Sequence, residues 1–265
     1  LRGRRHRISR WQTLGVWQLL MTTDAAALPV NRLIVVNLSA AWHRLVEKER
    51  FQCSLPPFLH PVSNCLELLL KSYLKVADDT LFRGIRIRDP RPPRGIDDPA
   101  VRADLALLAQ RGLSLDLVGG SEILAQAKFL AERIPDLTIV IDHLAGVRVD
   151  GKPPPEDWLA ALGALVRHPR VFVKVSGLVE GTGRKHRELP TEQAFYRPVL
   201  DAIWHRFGPD RLLYGSNWPV CGHFASLLTV QAIAAEYFRA KGRAAEEMVF
   251  AGNAEAAYRR VERAA

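Results

Sequence analysis

Polar side chains able to act on a substrate recur in this sequence at the ends of short apolar runs. Arg86 and Arg88 close the run Phe82 to Arg88, Asp116 lies within Leu113 to Val118, and Asp142 and His143 close Leu137 to His143. Lys174 and Ser176 close Val171 to Ser176, and Leu212 to Tyr214 breaks into Gly215-Ser-Asn217-Trp218-Pro219. Such runs have the length and apolar content of buried strands, and Pro219 cannot continue a ladder. In parallel α/β architectures ligands bind at the carboxyl ends of strands. Counted with period 2, Arg86 and Arg88 share one face, Lys174 and Ser176 share another with Phe172, and Asn217 lies with Gly215 and Leu213. His143 falls with Ile139 and Ile141, and Asp142 points the other way. For water attack on a carbonyl, His143 or Asp116 is the candidate base and Lys174 or Arg86 the oxyanion donor. Each also has an ordinary structural reading: Asp142 as a loop cap, His143 as a core histidine, Lys174 as a buried ion-pair partner of Asp116. Five strands ending in this way argue for a shared site, because charged groups inside a fold are costly unless paired or used.

The elements that must position these groups alternate strand and helix. The strand Phe82 to Arg88 runs into a Pro-rich loop, and Asp97 or Asp98 caps a helix that starts at Pro99 and stops at Gly112. Ser121 caps a helix to Arg133 with Glu122 in its first turn. Further helices are expected over Trp158 to Val166, Thr191 to Phe207 and about Phe224 to Ala240, followed by two short ones. Upstream, Arg32 to Leu38 reads as a buried strand and Cys65 to Val76 as a helix. Strand-then-helix units at this spacing argue a parallel sheet with helical crossovers. Neither a GxGxxG after a strand nor a Walker A sequence occurs, so the nucleotide-binding doubly wound folds are not supported. A (β/α)8 TIM barrel, irregular or incomplete at its first strands, is the expected fold, occupying residues 31–265 behind a basic arm or targeting-like segment at 1–30.

Several motifs, in order and with fitting spacing over about 80–262, carry a family resemblance. They are Arg83-Gly-Ile-Arg86, Pro135 to His143 ending in Asp-His, Val173-Lys-Val-Ser-Gly-Leu178, Asp210 to Val220 and Phe250-Ala-Gly-Asn-Ala254. Together they resemble the amidohydrolase-related (amidohydrolase 2) family, in its branch of sugar-lactone hydrolases and 2-pyrone-4,6-dicarboxylate hydrolase. The resemblance implies a barrel that hydrolyses a cyclic ester, His143 polarising the substrate or holding a metal, and Arg86, Arg88 and Lys174 in the substrate-anion region, with Ser176 and Trp218 beside them. Position 217 would hold the catalytic acid/base. The family has Asp there; this chain has Asn217, and an amide cannot act as a base. The family's Asp-x-His-x-His strand is also missing, since His6, His43 and His60 are isolated. The expectation is therefore a hydrolase with no metal or a weak need for one, the alternative cofactor being one divalent ion such as zinc. A non-catalytic barrel that binds an acidic metabolite is the competing reading, and a metal-dependent decarboxylase a weaker third.

Composition narrows the partners. Of the net charge of +9, the first 50 residues supply nine Arg/Lys against three acids, so the excess is concentrated in one arm. With no helix-turn-helix or aromatic-studded basic sheet, nucleic acid is not an expected partner. Nor is a membrane, as no stretch reaches the ~18–20 apolar residues that span one. Three cysteines without CxxC spacing point to a reducing, cytoplasmic setting. Export is the alternative, since the order of residues 1–30, basic then apolar then small, resembles a signal. The chain opens on Leu1, which reads as a fragment or a displaced start. With Arg86, Arg88, Lys174 and His143 facing Asp116 alone, the mouth should be positive and favour an anionic or lactone small molecule. Association into a homo-oligomer is compatible with all of this.

Overall fold

The computed structural model describes residues 82–88, 96 and 99–258, and the backbone of two upstream strands. The strands are β1 (Val16–Leu20), β2 (Arg32–Asn37), β3 (Phe82–Arg88), β4 (Ser114–Val118), β5 (Thr138–Ile141), β6 (Val171–Val175) and β7 (Leu212–Tyr214). The helices are α1 (Pro99–Gln110), α2 (Glu122–Arg133), α3 (Glu156–Gly163), α4 (Gln193–Phe207), α5 (Leu227–Ala240), α6 (Arg243–Glu247) and α7 (Asn253–Ala257). They form one sheet in the order β1 to β7, with β1 antiparallel to β2 and every later pairing parallel. Strands that follow one another without a reversal of order, joined by right-handed crossovers, put all their helices on one face. A barrel is wound in this sense and a doubly wound sheet is not. Among the described residues no ladder joins β7 to β1.

The two faces of the sheet differ in chemistry. Ile85, Leu115, Leu117, Ile139, Ile141, Val173, Val175 and Tyr214 point to the helices and join one large core with Leu105, Leu108, Leu124, Leu130, Leu162, Leu200 and Ile203. The opposite face carries a small apolar floor of Val140, Phe172 and Leu213, closed by Ala257 and Tyr258 from the end of the described chain. The register aligns Arg86 with Asp116, Asp116 with Val140 and Val140 with Phe172, so these four form one layer. Asp142 and Lys174 rise one layer higher, each two residues further along.

The expected helices are present with shifted ends. Ser121 is in helical conformation (φ −60°, ψ −22°) and makes no side-chain cap bond, because an N-cap needs extended dihedrals to aim its oxygen at the first turn. The Glu122 carboxylate instead accepts from the Gly120 N–H at 2.8 Å. The helix expected over 65–76, the cap at 97–98 and the loop at 89–93 lie outside the described residues. No helix among the described residues is long and apolar enough to cross a membrane.

Asn253 explains the motif Phe250-Ala-Gly-Asn-Ala254. Fully buried, its amide donates to the Leu212 carbonyl at 2.9 Å and to that of Pro209, tying α7 to the start of β7. Asn253→Ala leaves those carbonyls unpaired and should cost about 1–3 kcal/mol, to be read by urea denaturation. An unchanged midpoint would rule out the tie as a stabilising contact.

Candidate active site

Four charged side chains meet on the inner face of the sheet. Lys174 is 2% exposed, and Asp116 and Asp142 are fully buried. Lys174 Nζ donates to Asp116 Oδ2 at 2.9 Å and lies 2.6 Å from Asp142 Oδ1. Arg86 Nε lies 3.0 Å from Asp142 Oδ2, and Arg86 Nη2 lies 3.5 Å from Asp116 Oδ2. The two contacts to Asp142 are ion pairs. The Tyr258 hydroxyl donates to Asp116 at 2.9–3.0 Å, and its ring sits 5.4 Å from Lys174 Nζ. Gly215, just beyond β7, lies against Ser176 and the lysine stem, where a Cβ would stand 3.3 Å from Ser176 Cβ and 3.4 Å from Lys174 Cγ and Cδ.

The two carboxyls are unequal acids. Burial pushes both carboxyls up. For Asp116 burial prevails and the group stays raised. For Asp142 the opposing charges of Lys174 and Arg86 overcome it and hold the group at about 2. Two cations against two carboxylates leave the cluster neutral.

The structure therefore corrects the face assigned at β5. The strand ends at Ile141, whose side chain belongs to the helix-facing core, and Asp142 joins the inner set. His143 leaves the sheet altogether. With Leu144 and Ala145 it adopts left-handed dihedrals (φ 51–54°), a strained run for non-glycine residues. Burial of Leu144 and Ala145 and the Trp158 Nε1 bond to the Leu144 carbonyl (3.1 Å) hold the turn in place. His143 Nδ1 is 2.8 Å from Ser176 Oγ, and Gly177 passes under the ring at φ +68°, where a Cβ would stand 3.0 Å from His143 Cβ. Burial lowers His143 to about 4, with Lys174, Arg86 and Arg88 assisting against Asp142, so the imidazole is neutral at pH 7.

Arg86, Asp116 and Lys174 thus converge, and His143 and Ser176 pair above them. Arg88 is exposed at the end of β3 and acts on His143 through its charge. Trp218 is 55% exposed on the loop after β7. Asn217, also left-handed (φ 57°), donates from Nδ2 to Glu180 Oε1 at 2.9 Å. Glu180 and Tyr258 escaped the sequence reading: the first stands in a loop without a motif, the second 142 residues from the aspartate it touches. Asp142 could have been found, because the rule that set Asp116 opposite Leu115 and Leu117 also sets Asp142 opposite Ile139 and Ile141.

Residues 40–260 match the family model described as Amidohydrolase. A relative named L-fucono-1,5-lactonase, from Burkholderia ambifaria, is 36% identical over 159 residues, covering 56% of this chain and 51% of that protein. The chain spans about half the length of the first curated relatives it matches. An amidohydrolase from Burkholderia multivorans resembles the fold in two crystal forms. With bound HEPES it gives a TM-score of 0.63 at 24% identity, covering 71% of this chain and 69% of that one. With bound zinc it gives 0.61 at 22%, covering 82% and 78%.

The zinc of that neighbour raises the question of a metal here. Among the described residues no group of three or more His, Cys, Asp or Glu side chains could hold an ion. The two carboxylates that do converge already share the Lys174 ammonium, which stands where a cation would bridge them. These residues do not fit a metal.

Two measurements follow. Lys174→Met leaves two buried carboxylates with one cation and should cost about 3–5 kcal/mol, read as a fall in Tm; an unchanged Tm would mean that the lysine is dispensable to the cluster. For His143 the folded value of about 4 lies below the ordinary 6.5, so the unfolded chain binds more protons between them and stability rises with pH across that window. Unfolding free energy should drop by about 1–2 kcal/mol from pH 7 to pH 5 and lose most of this slope in His143→Gln. Urea titrations at both pH values check it, and an equal slope in the variant excludes His143 as its source.

Proposed function

The chain belongs to the amidohydrolase family, and from that membership we propose that it opens a cyclic ester of the sugar-lactone class by hydrolysis without a metal. The observation that carries the reading is the cluster at the strand ends, where Arg86, Lys174, His143 and Ser176 converge beside two carboxylates. The lactonase relative supports the substrate class.

Water attacks the lactone carbonyl, and the oxyanion needs donors already in place. Arg86 suits this, as its planar fork has more N–H groups than its two carboxylate contacts use. Neutral His143 hydrogen-bonds to the substrate as a polariser; with its conjugate acid near pKa 4 it is a weak base. Asp142 and Asp116 hold Arg86 in place, and Lys174 pairs with both carboxylates from the other side. Trp218, exposed on the loop after β7, offers a flat apolar face to a sugar ring. Pairing of Arg86 and Lys174 with the two carboxylates favours a neutral lactone over a pyrone dicarboxylate. A second reading, a barrel that binds an acidic metabolite without turnover, is favoured by Asn217, which brings no carboxylate to its position.

Purified protein should release protons from L-fucono-1,5-lactone or another member of a sugar-lactone panel, at a rate that EDTA changes by less than about twofold. Loss of the rate on chelation, restored by zinc, would overturn the metal-free step. Binding of sugar acids without turnover would favour the second reading.

A further inference from the structure

The amide at position 217 is not isolated. Glu180 opens a single turn of 3-10 helix, Glu180–Thr182, on the loop that leaves β6, four residues beyond Ser176. Asn217 stands on the loop that leaves β7, and β6 and β7 are hydrogen-bonded neighbours. The loop after β6 thus has Ser176 and Gly177 against His143 at one end and Glu180 against Asn217 at the other. Asn217 Nδ2 engages Glu180 Oε1 at 2.9 Å, while Glu180 Oε2 is buried without a hydrogen-bond partner. A buried carboxylate oxygen with no donor is costly unless water or a substrate group supplies one.

We infer that Glu180 is the acid/base carboxyl of this chain, aimed by the Asn217 amide, so that the carboxyl missing from position 217 is supplied by the neighbouring loop. The inference rests on the lactone-hydrolase reading. Glu180 Oε2 takes a proton from the attacking water as its oxygen bonds to the lactone carbonyl carbon, and the carbonyl π pair moves onto the oxyanion. When the oxyanion re-forms the carbonyl, the bond to the ring oxygen breaks and the leaving alkoxide takes that proton from Glu180. Lactone and water become one hydroxy acid, which ionises in solution. Asn217 is a positioning residue in this step: its N–H bond orients the carboxylate and favours its ionised form. Burial works the other way and raises the Glu180 carboxyl, towards the range of a useful base. The groups that feel its charge are Tyr196 of α4, Tyr214 of β7 and the thiol of Cys221, all raised by burial and so neutral at pH 7.

The test is lactone opening by the whole chain, followed by proton release across pH 4–9. Glu180→Gln keeps size and shape and should lower kcat by about 100-fold or more, with KM changed by less than about threefold and the acid limb of the profile gone. Glu180→Gln combined with Asn217→Asp, which exchanges the two groups, should recover about tenfold or more of that loss. Asn217→Asp alone sets two carboxyls in contact and should move the acid limb up by about one pH unit, a readout that does not require Glu180→Gln to fold. Glu180→Gln within about fivefold of the natural rate, or an acid limb unmoved in Asn217→Asp, overturns the assignment and leaves the lactone reading standing. A natural chain inert towards every lactone overturns both.

Discussion

Everything on the inner face of this sheet depends on the pairing of a buried lysine and a partly buried arginine with two buried carboxylates. Removing four charges from water carries a large penalty, which close mutual contact offsets only when each group meets its opposites. Lys174 meets both aspartates, and so does Arg86. The arrangement couples strands β3, β4, β5 and β6, and Tyr258 extends it to the far end of the described chain. A hydrophobic set of similar volume would stabilise the sheet as well. The charged version does what an apolar one cannot, which is to hold a guanidinium at the mouth with donors to spare.

The loops above this cluster take their shape from backbone that is locally unfavourable. Three consecutive left-handed residues after β5 swing His143 out of the sheet and onto the loop after β6, and a left-handed Asn217 turns its amide towards the same loop. Strain of this kind persists where packing over-determines it, and here the burial of Leu144 and Ala145 and the Trp158 indole do so. The loop after β6 is thereby gripped from both sides, by His143 and by Asn217.

On the lactone-hydrolase reading, family pattern and local chemistry meet at one demand, the base. His143 is too weakly basic, Asp116 is saturated by Lys174 and Tyr258, and Asn217 is an amide. The family pattern assigns the role by position. In this chain the carboxyl that Asn217 touches belongs to another loop, and on the inferred assignment the function of one residue is divided between two, an amide that orients and a carboxyl that can exchange a proton.

The sequence by itself determined the strand-helix alternation, because apolar periodicity and Gly/Pro punctuation are local properties, and it determined which polar residues stand at the strand ends. It also fixed the family, through motifs whose order and spacing survive without coordinates. Tertiary structure alone decided that the strand ends at Ile141 and that three left-handed residues carry His143 off the sheet, since that turn is held by the burial of Leu144 and Ala145 and by the Trp158 indole and not by any local pattern. It alone brought Tyr258 to Asp116 and Glu180 to Asn217. It also reversed the expected charge of the mouth from positive to balanced, because a count along the chain cannot tell which carboxylate folds in beside which cation.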